Sequence, residues 1–147
     1  MNVHVTGGNK LQKEIARQLC EFFKAKYLSK FKTIRIDISI EKNLAEDCGC
    51  DGACTPIGGN RGREFEIEID RDLSLIQFMK TLTHELTHVR QYVTGDMVEV
   101  KGKEPKTLWK GKDYSKVSYS KQPWERQAFR LQESLYLEFL ASTPSIK

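Results

Sequence analysis

The stretch "TLTHELTHVRQ", residues 81–91, constrains this chain more than any other. It holds His84 and His88, two of the three histidines, with Glu85 between them. The spacing is H-E-x-x-H, which on a helix puts two imidazoles one turn apart on a single face. Leu75, Ile76, Met79, Leu82, Leu86, Val89 and Val93 recur around it at helical spacing. A helix from about Asp72 to Thr94 is therefore expected. Asp72 or Ser74 would cap its start, and Gly95 suits the left-handed position past its end.

Periodicity extends to other segments. "NKLQKEIARQLCEFFKAKYL" sets Leu11, Ile15, Leu19, Phe22 and Phe23 against Lys, Glu and Arg, which predicts an amphipathic helix. "TIRIDISI" alternates strictly, with Ile34, Ile36, Ile38 and Ile40 on one face. "EFEIEID" alternates through Phe65, Ile67 and Ile69. Both predict half-buried strands, which an antiparallel pairing across a long connection would satisfy. "MVEVKGKEP" leaves room for a short strand before a lysine-rich loop. A third helix is expected in "PWERQAFRLQESLYLEFL". Pro123 suits its first position, and Trp124, Ala128, Leu131, Leu135 and Phe139 or Leu140 form its apolar stripe. Helices and strands do not alternate regularly, and no repeat or linker breaks the chain. The expectation is a single α+β domain over residues 1–147 with a small mixed or antiparallel sheet.

The chain's 147 residues suffice to bury a core. Hydrophobic residues at 39% and charged ones at 30% are ordinary for a soluble globular protein. No apolar run approaches the roughly 20 residues of a membrane span. "MNVHVTGGNK" has no charged region followed by an apolar one, so a cytoplasmic protein with reduced thiols is expected. The formal charge of +4 permits an acidic partner without demanding one.

His84 and His88 can each offer a nitrogen to one ion, and zinc takes imidazole at about 2.0–2.1 Å. Glu85 precedes His88 by three positions, so it stands beside the same face without binding the ion. It can take a proton from a water made acidic by the metal and pass it to a leaving amine. A catalytic zinc wants a third protein ligand. His4, a cysteine or a downstream acid could supply it, the acids being Asp96, Glu99, Glu104, Asp113, Glu125, Glu133 and Glu138. Glu125 stands out because it opens a helix beside an inward stripe, where a charge needs a partner. A hydrolytic site also needs a group that stabilises an oxyanion, and Tyr119 and Tyr114 are candidates.

"REFEIEIDRDLSLIQFMKTLTHELTHVRQY", "WKGKDY" and "QPWERQAF" together resemble the minimal gluzincin zinc metallopeptidases, small proteins often encoded by phages and sometimes described as SprT-like. The resemblance covers roughly residues 60–140. It implies a zincin-like fold, with an H-E-x-x-H active-site helix and a second ligand helix. It implies zinc held by His84, His88 and Glu125, Glu85 as general base, and Glu125 with Ala128 as an E-x-x-A element. The family pattern P-W-E-x-E-A has a second acid where this chain has Gln127. That removes the rival carboxylate and puts in doubt a hydrogen bond of the kind that orients metal ligands. No C-x-x-C pair is present for the zinc ribbon that SprT proteins proper often add.

Two segments lie outside that pattern. "EDCGCDGACTPIGGNRGR" carries Cys48, Cys50 and Cys54 and reads as a mobile loop with free thiols. A second metal, or a cysteine holding the zinc latent, are the other readings. Cys20 is expected to be a small buried residue. Residues 101–121 carry seven lysines against two acids, with Trp109, Tyr114 and Tyr119 interleaved. Such a loop is usually solvated, and it can also contact single-stranded nucleic acid. The expected activity is zinc-dependent peptide-bond hydrolysis on a peptide or protein substrate. The alternatives are a catalytically idle zinc-binding scaffold and a DNA-associated factor using the basic loop.

Overall fold

A computed structural model of the chain describes residues 1–44, 49–58 and 62–143. In chain order the elements are β1 (Asn2–Gly7), α1 (Lys10–Phe23), β2 (Arg35–Glu41), β3 (Gly52–Pro56), β4 (Glu64–Asp70), α2 (Leu75–Thr94), β5 (Met97–Val100), β6 (Lys106–Trp109), β7 (Lys112–Asp113) and α3 (Pro123–Ser142). The class is α+β, as the pattern of periodicities predicts.

Alternation turns Ile36, Ile38 and Ile40 of β2 and Phe65, Ile67 and Ile69 of β4 to one side, where all are buried. Ile15, Leu19 and Phe23 of α1 join them in one core, with Phe78, Leu82, Leu86 and Val89 of α2 and Leu135 and Phe139 of α3. Each such side chain contributes about 1.5–3 kcal/mol on burial. The other sheet face is polar and carries His4, Thr6, Asp37, Ser39, Glu66 and Glu68. Leu11 departs from the expected stripe of α1 and is 51% exposed. Its neighbour Gln12 is buried instead, completing a capping box with Asn9 and donating to the Arg71 carbonyl at 2.8 Å.

The main sheet has the order β1-β2-β4-β3. β2 and β4 run parallel, with Ile36 opposite Phe65 and Ile38 opposite Ile67. This corrects the antiparallel pairing expected from the sequence. The reason is β3, which makes the return trip: it runs antiparallel along the outer edge of β4, so β4 enters in the direction of β2. The segment read as a structureless cysteine loop thus contains an edge strand. Cys54 lies on β3 opposite Ile67 and is free, whereas Cys50 is disulfide-bonded, which corrects the expectation of free thiols there. Cys48 lies outside the described residues. Cys20 is free and fully buried, as expected.

Ser74, not Asp72, caps α2: its hydroxyl accepts from the Gln77 amide at 3.2 Å. Gly95 ends the helix at φ +81°. β5 falls on the short strand expected in "MVEVKGKEP", and β6 and β7 from the lysine-rich stretch join it in a separate antiparallel sheet. Pro123 opens α3, whose buried stripe is Trp124, Ala128, Leu135 and Phe139. Among the described residues no helix is long and apolar enough to cross a membrane.

β3 crosses α2 closely at Gly52. A Cβ there would sit 2.7 Å from Thr81 Cγ2 and 3.1 Å from the Glu68 carbonyl oxygen. Gly52→Ala is expected to cost about 1–3 kcal/mol in urea unfolding, as overpacking does. Thr81→Ser, which deletes that methyl group, should recover part of the loss in the double variant.

Candidate metal centre

α2 presents His84 and His88 one turn apart, both buried to 7% exposure. α3 crosses α2 so that Glu125, in its first turn, meets them. Trp124 and Ala128, buried on either side in sequence, hold that turn in place. Glu125 Oε1 lies 2.9 Å from His84 Nε2 and 3.3 Å from His88 Nε2. Among the described residues these three form the group whose ligand atoms fall within 4.8 Å of one another. A tetrahedral ion with bonds of about 2.0–2.1 Å sets its ligands roughly 3.3 Å apart, so the spacing suits one.

The amides behind the histidines fix which nitrogen faces inward. Gln91 donates its amide protons to the Trp124 carbonyl at 3.0 Å and to Gln127 Oε1 at 2.8 Å. Its own oxygen is left facing His88 Nδ1 at 2.7 Å, so that nitrogen carries the proton. Gln132 Oε1 lies 2.8 Å from His84 Nδ1 and does the same there. Both Nε2 lone pairs then converge on a carboxylate oxygen. Lone pairs aimed at an anion repel unless a positive charge sits between, a condition met by a metal ion or, without one, by protons on Nε2. Gln127, the departure from the family pattern, does not leave the site unsupported: it anchors the amide that orients His88.

Electrostatics agree with that donor set. Burial alone would lower the His88 pKa, but the hydrogen bond and charge of Glu125 outweigh it and raise the value. Burial pushes the Glu125 carboxyl up, yet its bonds to His84 and His88 bring it down to about 2. The site therefore stabilises positive charge.

Glu85 is buried beside the pair and approaches β3, where a Cβ on Gly52 would lie 3.4 Å from its Oε1. Burial raises its pKa above the ordinary value, against the lowering effect of both histidines. Tyr119 donates its hydroxyl to Glu125 Oε1 at 3.2 Å. Two adjoining clefts of about 460 Å³ each share Gly52, His84, Glu85 and Tyr119 in their walls.

Other sequence candidates fall elsewhere. His4 is exposed on β1 opposite Asp37. Tyr114 packs under Lys112, outside the clefts. Cys54 lines one cleft, but its thiol is pushed well above the usual range by burial and by Glu85, and it is not among the convergent ligands. Glu133 and Glu138 pair with Lys80 and Lys26. Sequence reasoning missed Gln91, Gln132 and Phe129, whose ring packs 4.6 Å from that of His84. The signal was helical spacing: Gln91 follows His88 by three, and Gln132 follows Glu125 by two turns.

Glu125→Ala should abolish tight metal uptake in a titration against a chromogenic chelator. Gln91→Leu should weaken it by about 10–100-fold with the three ligands intact. Affinity should fall as pH drops through the raised His88 pKa, because metal and proton compete for Nε2. No family model, curated protein or solved structure matches the chain, so the centre rests on its own geometry.

Proposed function

We propose that this protein is a zinc-dependent peptidase of the gluzincin type with a zincin-like fold. The observation that carries the reading is the convergence of His84, His88 and Glu125 with Glu85 alongside, beneath a strand that is outermost in its sheet among the described residues. Two imidazoles and one carboxylate are a catalytic zinc set. Bound zinc would supply Lewis acidity and bring a water's pKa towards roughly 7.

The chain's residues supply the rest. Glu85, with its raised pKa, takes the proton of the attacking water and gives it to the leaving amine. Tyr119 stands where a hydroxyl can donate to the developing oxyanion. Among the described residues β3 is the outermost strand of the sheet, and its outer edge would offer backbone groups to an extended peptide. Glu85 and Tyr119 reach both clefts, so a peptide running from one cleft to the other passes the reacting groups.

Glu85→Gln should separate binding from chemistry. The amide keeps the carboxylate's size and cannot take the proton. Zinc content should stay at wild-type level while casein hydrolysis falls by at least roughly 10²–10⁴-fold. A chelator control excludes contaminating proteases. A variant as active as wild type, with chelator-sensitive turnover in both, would sink the mechanism.

A second reading, a nucleic-acid contact, is favoured by one observation. Trp109, Lys110, Arg126 and Arg130 line a pocket of about 270 Å³ that has no acidic residue in its wall among the described residues. Cations around an aromatic ring suit single-stranded nucleic acid. On that reading Arg126→Ala/Arg130→Ala should shallow the salt dependence of oligonucleotide retention by about two phosphate contacts.

A further inference from the structure

The clefts beside the metal centre are acidic in a chain whose formal charge is +4. Asp51, Glu85, Glu99 and Glu125 contribute to their walls, and among the described residues no lysine or arginine does. In the cleft bounded by β5 and β6, three carboxylates stand together: Glu85, Glu99 and Glu125. Of these, Glu99 is the carboxylate that on the peptidase reading neither binds the ion nor takes part in the proton transfer, so its charge stays available whether or not Glu85 is ionised.

Glu99 is also held in place. Tyr92 of α2 donates its hydroxyl to Glu99 Oε1 at 2.7 Å, and the tyrosine ring packs 5.8 Å from that of Phe65. Glu99 itself is exposed, and Met97 on the same face of β5, Cys54, Tyr92 and Trp124 line the same cleft. No lysine or arginine pairs with Glu99 among the described residues. A carboxylate fixed by Tyr92 and without a paired cation matches a cationic head whose aliphatic stem lies along Met97 and Tyr92. A neutral side chain would gain nothing from that charge, and an acidic one would meet repulsion.

We propose that the cleft selects extended peptides carrying lysine or arginine beside the cleaved bond, with Glu99 as the specificity-determining residue and Tyr92 positioning it. The proposal rests on the peptidase reading above. Its test does not depend on hydrolysis. Zinc-loaded Glu85→Gln serves as a background that holds a peptide uncut. Two labelled, end-blocked peptides of glycine, serine and alanine, with either lysine or glutamine at the centre, are titrated by fluorescence anisotropy.

The lysine peptide should bind about three- to fivefold more tightly, the upper range for an exposed charge pair. Adding Glu99→Gln should erase the difference and leave the glutamine peptide unchanged, since the amide still accepts the Tyr92 hydrogen bond. Equal affinities before that substitution, a difference that survives it, an equal loss for both peptides, or no binding of either would each overturn the proposal. A Glu99-dependent preference in a wild-type protein that cuts neither peptide would overturn the peptidase reading alone and leave the cation subsite standing.

Discussion

Gln91 ties α2 to α3 at the point where the metal ligands meet. Its amide group donates to the Trp124 carbonyl and to Gln127, and its oxygen faces the His88 ring nitrogen. All of this happens in a buried setting, where an unmade hydrogen bond costs about 1–3 kcal/mol. One side chain thus sets the helix crossing, the ring orientation and the tautomer together. Glu125 reaches His84 and His88 because the turn of α3 that carries it is fixed by the neighbouring residue whose carbonyl Gln91 holds.

Much of the centre was legible before the fold was known. His84, Glu85 and His88 follow from one helical spacing, which fixes geometry without tertiary information. Glu125 needed more. Physics marked it as a charge beside an apolar stripe, and the resemblance singled it out, but only the crossing of two helices brings it to 2.9 Å from His84. Strand direction was not legible, because alternation of period two looks the same either way along the chain. β3 escaped for a related reason. Gly52, Ala53 and Cys54 are half-buried on an edge and carry no alternation to read. The supporting glutamines escaped because an amide on a helix looks like any polar surface residue until its partners are known.

The site's chemistry depends on how closely β3 lies over α2. Glycine at position 52 leaves no side chain between the strand backbone and Glu85, so that carboxylate sits directly beneath the strand. Burial raises the Glu85 pKa. On the proposed reading, the strand that would offer backbone groups to a peptide is also one that covers the base.

His84 and His88 stand on α2, while Glu125 stands on α3, with the whole β5–β7 sheet between them in sequence. During synthesis α2 and the parallel strands emerge first, and a chain at that stage carries two ligands of three. Two imidazoles hold an ion far less firmly than a completed set. Metal retention thus reports that α3 has docked, and a cell's free metal concentration acts on the population of docked chains by mass action. Docking of α3 and completion of the candidate metal set are therefore one event.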